Sequence, residues 1–283
     1  MGNITNLLLV HPLINLLVAF YQALSFLHIP FALGVSIILL TAAMRLLLYP
    51  FTTQQLRATK KMQQLSPHIS KLKEKHKGDS KRIQQETMSL YKQHGVNPAA
   101  GCLPAVVQII VLMFGLYPVL QLIVRLNPHE VVSQINNIVY FPFLRLSHPW
   151  DTNFFGIPLI GQLGHIGSKP PFLVPDLLAK APILILVPVI TAGLQFLQSK
   201  MMVNPQTQTP VKKGDTADFA SSFQTQSMYM FPFMIGLFSF TLPIGMSLYW
   251  NTFTLFGILQ QYQVQGLGGL ENWVQKLKKL YGR

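Results

Sequence analysis

The chain has 283 residues, half of them hydrophobic and 11% charged, with a formal net charge of +13. So few polar groups cannot cover a soluble globule of this size, and a bilayer is the natural solvent. The Lys and Arg residues gather between apolar runs and are not interleaved with base-stacking aromatics, which argues against a specific nucleic-acid partner and for cytoplasmic loops. A single cysteine, Cys102, excludes an intramolecular disulfide and a cysteine-based metal site.

Residues 1–44 carry no Asp, Glu, Lys or Arg, so no basic n-region of a signal peptide is seen. From Leu7 to Leu27 the run is apolar but interrupted by His11, Pro12, Asn15, Gln22 and Ser25. It fits an interfacial helix or a spanning one, and the interfacial helix, over residues 1–30 on the outer side, is preferred. Phe31 to Phe51 then supplies a first span, near the roughly 20 residues that a hydrocarbon core requires. Residues 52–97 hold ten basic residues against three acidic ones, a net +7 that places them in the cytoplasm. Leu65, Ile69 and Leu72 and then Ile83, Thr87, Leu90 and Tyr91 recur at helical spacing about a turn at Gly78 and Asp79, predicting a helical hairpin with a kink or restart at Ser66 and Pro67.

A second span is expected over 102–124, and an external connection over 125–180, which has four basic and three acidic residues with many Pro and Gly. A third span follows over 181–199, then a polar, mobile cytoplasmic loop over 200–227. The long apolar stretch after Met228 is broken by Pro243 and Gly245 into a short fourth span (228–242) and a fifth (243–263). Residues 264–283 form a basic cytoplasmic tail. The fold class is therefore all-α, a polytopic membrane protein with a five-helix core, N-terminus out and C-terminus in.

Arg45 lies about six residues, hence about 9 Å, from the inner end of the first span. It has two readings. It snorkels to the interface as an anchor, or, since no predicted span contains Asp or Glu, its charge is met by water, lipid phosphate or an acidic visitor in a concavity opening inward. Thr41, four residues earlier, shares its helix face. Gln108 and Gln195 suit helix–helix hydrogen bonding as well as groove lining, and Tyr249 and Trp250 resemble an aromatic belt set somewhat inside the membrane. The eight histidines have no metal-ligand spacing, and no phosphate loop or serine nucleophile with a base is evident, so neither an enzyme nor a cofactor is expected.

Four segments, taken together, resemble the YidC family of membrane protein insertases: TAAMRLLLYPFTTQQLRATKKMQQLSPHISKLKEKH, RIQQETMSLYKQHGVNPAAGCLPAVVQ, PVITAGLQFLQSKMM and MYMFPFMIGLFSFTLPIGMSLYWNTF. Their order and spacing, over roughly residues 31–263, carry the resemblance more than any one motif. It implies a five-span core preceded by an interfacial helix, with a hydrophilic groove open to cytoplasm and lipid. Arg45 stands at the family's groove arginine, Gln195 and Trp250 match groove positions, Thr41 and Tyr249 neighbour them, and Gln108 is a weaker transfer. The implied partners are nascent membrane proteins and membrane lipids, with the Sec translocon and the ribosome as further candidates, and the working unit is a monomer. The implied location is a bacterial inner or plasma membrane. The large periplasmic domain and extra leading span of some members are not represented, and the basic tail is short. A small channel or transporter, and an assembly factor in which Arg45 only anchors, are the competing readings; the first is disfavoured because no inverted repeat is seen.

Overall fold

A computed structural model describes residue 4 and residues 6–76, 78–97, 110–125, 128–159, 182–202 and 216–281. Helix dominates, as an apolar chain that must satisfy its backbone internally requires. In order come a π turn (Asn6–Val10), α1 (His11–Phe26), α2 (Ala32–Gln64), α3 (Ser66–Lys75), α4 (Ser80–Gln93), a second π turn (Val111–Leu116), α5 (Tyr117–Arg125) and α6 (Pro128–Asn136). A two-residue hairpin, β1 (Asn153–Phe154) with β2 (Ile157–Pro158), precedes α7 (Pro182–Met201), α8 (Thr216–Thr241), α9 (Ile244–Gln265) and α10 (Glu271–Tyr281). Asn6–Phe26 and Ala32–Gln64 are long and apolar enough to cross a membrane, and Met113–Leu122, Ile185–Met201 and Met228–Thr241 are shorter apolar helices.

The chain divides into two compact units. Unit 1 comprises Met1–Leu47, Val107–Ala192 and Met234–Phe256. Its core follows helical spacing: Ile14, Leu17 and Val18 on α1, Leu33, Ile37, Leu40 and Met44 on α2, and Met246, Tyr249 and Phe253 on α9. Asn15, an interruption in the apolar run, is buried and useful. Its Nδ2 donates to the carbonyls of His11 (2.8 Å) and Ile138 (3.2 Å), and its Oδ1 accepts from the Tyr140 amide at 2.7 Å. Asn136 brackets Leu146 in the same way, donating to its carbonyl (3.0 Å) and accepting from its amide (2.8 Å). The hairpin turns through Phe155 and Gly156, both at positive φ, the geometry that matches strand twist in a two-residue loop. Thus α6 and this hairpin stand within the segment expected to be an external connection.

Unit 2 comprises Leu48–Val106, Gly193–Phe233 and Gly257–Arg283. Within it α2 closes at Gln64 and α3 opens at Ser66, with Pro67 in its first turn, where the missing N–H is harmless. Asp79 caps α4, its carboxylate accepting from the Arg82 amide at 3.0 Å. Glu86 on α4 meets His76 at 3.0 Å and Arg82 at 3.3 Å. Neither α3 nor α4 buries a residue, so both lie at the low end of local stability.

One expectation needs correction. The loop expected over 200–227 becomes helical at Thr216, where α8 begins; the stretch from Thr216 to Met228 contains no Gly or Pro to stop it. Within the basic tail expected over 264–283, α10 forms over Glu271–Tyr281.

Candidate functional site

The face of α2 that carries Leu33, Ile37, Leu40 and Met44 into the core of unit 1 also carries Thr41 and Arg45. Arg45 is 7% exposed. Its Nε and Nη2 both donate to the backbone carbonyl of Phe253 on α9, at 3.1 and 2.6 Å. Its Cζ lies 3.4 Å from the centroid of the Phe253 ring. One residue thus offers the cation an acceptor and a π face. Among the described residues no carboxylate comes within ion-pair distance of Arg45. Tyr249, one turn earlier on α9, is buried, and its ring centroid sits 5.8 Å from that of Phe253.

Thr41 is fully buried, with its hydroxyl donating to the Ile37 carbonyl at 2.6 Å. That internal bond satisfies it without water, so the shared face with Arg45 is not wetted by Thr41. Trp250 is half-buried and lines a cavity of about 310 Å³ with Met113, Tyr117, Thr191, Phe238 and Met246 among others. Arg45, Thr41 and Tyr249 are not in that lining. The cavity surface is apolar almost throughout. Three of its hydroxyls are engaged, Ser239 with Ser247 at 2.7 Å and Thr191 with the Val187 carbonyl at 2.8 Å. Gln195 belongs to unit 2, half-buried on α7, and Gln108 lies outside the described residues. The six residues therefore divide: Arg45 and Tyr249 gather around Phe253, Thr41 is spent on its own helix, and Trp250 serves an apolar cavity.

Unit 2 holds a polar latch that was not anticipated. Gln260 on α9 is buried, and its Nε2 donates to the Tyr49 carbonyl (3.1 Å) and to the hydroxyls of Thr52 (2.6 Å) and Thr53 (3.0 Å) on α2. One turn on, Gln265 donates to the Leu56 carbonyl at 2.6 Å, and Tyr49 donates to Gln263 at 3.3 Å. The signal for it was Gln260 standing seven residues after Phe253, on the same buried face. Among the described residues no three His, Cys, Asp or Glu side chains gather as a metal site requires.

Residues 25–268 match the family model described as 60Kd inner membrane protein. The chain is 34% identical over 260 residues to the inner membrane protein ALBINO3 of Arabidopsis thaliana chloroplasts, covering 88% of this chain and 50% of that protein. It is 30% identical over 235 residues to the membrane protein insertase YidC of Fusobacterium nucleatum, covering 83% of this chain and 87% of that one. With the YidC of Rickettsia felis the identity is 34% over 233 residues, covering 82% and 35%. The chain spans about half the length of the chloroplast relatives that it matches.

Proposed function

Because the chain belongs to the YidC family of inner membrane proteins, we propose that it is a membrane protein insertase. It receives nascent membrane proteins from the cytoplasm and releases their apolar segments into the bilayer. The architecture proposed with it is a five-span core, an interfacial helix over residues 1–30, a cytoplasmic hairpin over 52–97, and an N-out, C-in topology in a bacterial inner membrane. The observation that carries the reading is Arg45, a buried guanidinium held by a carbonyl and a ring and by no carboxylate among the described residues.

A carbonyl dipole orients a cation but does not cancel its charge, so Arg45 still attracts an acidic segment entering a groove beside it. At ~6 Å and an effective dielectric constant of ~20 the attraction is about 2.8 kcal/mol per carboxylate, roughly 100-fold in occupancy. Tyr249, Trp250 and Gln108 are proposed to line that groove with it, Thr41 to pack behind it, and Gln195 to be a substrate contact of unit 2. The substrate's apolar span passes the third and fifth spans into lipid, driven by about 25 cal/mol per Å² of apolar surface removed from water. The apolar cavity beside Trp250 supports a greasy rather than a wet lateral path. Translocation of an acidic tail gains about 2.3 kcal/mol per charge per 100 mV from the membrane potential, and the proposed route uses no nucleotide. The basic segment 52–97 is the proposed first contact for substrate or ribosome.

The test is insertion into proteoliposomes of two substrates that differ only in an acidic or a neutral translocated tail. Arg45→Ala is expected to slow the acidic substrate by up to about 100-fold and to spare the neutral one, while Arg45→Lys stays within about tenfold of wild type. Wild-type rates for the acidic substrate with Arg45→Ala would overturn the electrostatic role.

A further inference from the structure

The C-terminal helix α10 (Glu271–Tyr281) carries an amphipathic pattern that the insertase reading leaves unused. Trp273, Leu277 and Leu280 recur at four and three residues and are 47%, 53% and 77% exposed. At 3.6 residues per turn they fall on one stripe. Val274, half-buried, widens the stripe on the Leu277 side; Lys276 and Lys278 then border it, each about 40° from its edge, Lys279 lies across from it, and all three lysines are exposed. The one acidic residue, Glu271, is in the first turn, where it suits the helix dipole.

The start of α10 is fixed within unit 2. Gly268 has φ +51°, and a Cβ there would meet the Met201 carbonyl oxygen, so only glycine lets the chain pass the end of α7. The Trp273 ring then leans on α7, its centroid 5.4 Å from Lys200 Nζ and 6.1 Å from the Phe196 ring. Beyond that contact Leu277 and Leu280 remain uncovered.

We propose that α10 is a peripheral membrane helix, its stripe seated in the headgroup region of an anionic lipid surface with Lys276 and Lys278 on the phosphates. Two features favour lipid over RNA. The apolar side chains fall on the stripe between the two bordering lysines, where a bilayer buries them and a phosphodiester backbone would not. And α10 opens six residues after α9 closes, next to the ends of two apolar helices, which keeps it at the surface of a membrane. The inference rests on the membrane location of the family and not on insertase activity.

The test uses the full chain with its single cysteine removed (Cys102→Ser), reconstituted in vesicles of phosphatidylcholine with one quarter phosphatidylglycerol, or of phosphatidylcholine alone. A nitroxide is attached after Leu277→Cys or Leu280→Cys, and after Gln275→Cys or Lys279→Cys on the opposite face, and collision with oxygen and with a water-soluble nickel chelate is measured. In the anionic vesicles positions 277 and 280 are expected to be shielded from nickel and open to oxygen, and 275 and 279 the reverse. Removing the anionic lipid, or combining Lys276→Gln, Lys278→Gln and Lys279→Gln, is expected to shift the bound fraction by about 100-fold in partition and to restore nickel access. Nickel access at 277 and 280 in both lipids overturns the proposal, as does shielding that is equal in both. Shielding that appears only when ribosomes are added overturns it in favour of RNA. Insertion rates, measured in the same vesicles, report separately on the insertase reading.

Discussion

Replacing Gln260 is the sharpest test of how α9 is held to α2 in unit 2. Its Nε2 has two hydrogens and faces three acceptors, the Tyr49 carbonyl and the Thr52 and Thr53 hydroxyls. Two good bonds are the most it can make. Gln260→Leu removes both while keeping volume. At about 1 kcal/mol per bond in a protein interior the loss is about 2 kcal/mol, and at about 0.6 kcal/mol per interhelical bond in a membrane it is about 1.2 kcal/mol. Neither Thr52 nor Tyr49 is orphaned, because Thr52 also donates to the Leu48 and Tyr49 carbonyls, both at 3.1 Å. Gln260→Glu is expected to be worse. It sets a carboxylate against a carbonyl oxygen, and an unpaired charge there costs about 3 kcal/mol or more. Equilibrium unfolding in mixed micelles, followed by Trp fluorescence, should rank wild type above Gln260→Leu above Gln260→Glu. A Gln260→Glu variant as stable as Gln260→Leu would refute the reasoning, because the latch would then be neither dry nor donor-specific.

Asn15→Ala removes the acceptor of the Tyr140 amide and the donor to Ile138, so amide exchange at residues 138–140 should rise and stability fall by about 1–3 kcal/mol; unchanged protection would count against the clamp. Gly236 packs so closely on α7 that a Cβ would lie 2.8 Å from Ala192 Cβ. Gly236→Ala should therefore lower thermal stability, and Ala192→Gly in the same chain should recover part of it. Outside the spans, the partial burial of Tyr91 on α4 pushes its phenol above the usual value. The neutral form is the one favoured in the fold, so its contribution to stability is present below about pH 10 and is lost as pH rises through the folded value. A difference titration against Tyr91→Phe should show the missing component ionising above pH 10; a component at or below that value would remove the effect.

Periodicity made much of the fold legible. The apolar run from Phe31 to Phe51 falls on α2 from its second residue onward, and the break at Pro243 falls between α8 and α9. Leu65 stands at the N-cap of α3 with Ile69 and Leu72 inside that helix, and Ile83, Leu90 and Tyr91 fall on α4. Elements held by other means were not readable. The hairpin at 153–158 depends on two positive-φ residues, one of them Phe155, and no composition rule selects a phenylalanine for that conformation. Helix α10 is short and strongly charged, so in the sequence its lysines read as a basic tail and its one apolar stripe does not stand out. Of the candidate site, Arg45 was found as a charge in an apolar run. Its partner is a backbone carbonyl, and since every residue carries one, sequence cannot point to which of them is used. Thr41 shows the converse: its polarity was legible, but its use was not, because a threonine in a helix can satisfy its hydroxyl one turn back.

The pairing of Arg45 with Phe253 bears on which substitutions are informative. A carboxylate partner would neutralise the cation and leave little field outside the pair, whereas a carbonyl and a ring hold the guanidinium by dipole and quadrupole and leave the monopole intact. Holding and attracting are therefore separable in this site. Lysine preserves the charge but has no planar fork, so it cannot bond the Phe253 carbonyl through two nitrogens and cover the ring as Arg45 does. Arg45→Lys should thus lose stability while keeping most acidic-substrate insertion, and Arg45→Gln should keep a carbonyl bond while losing that insertion. If instead insertion follows stability across Lys, Gln and Ala, Arg45 acts only by holding α2 to α9, which is the anchor reading in a new form.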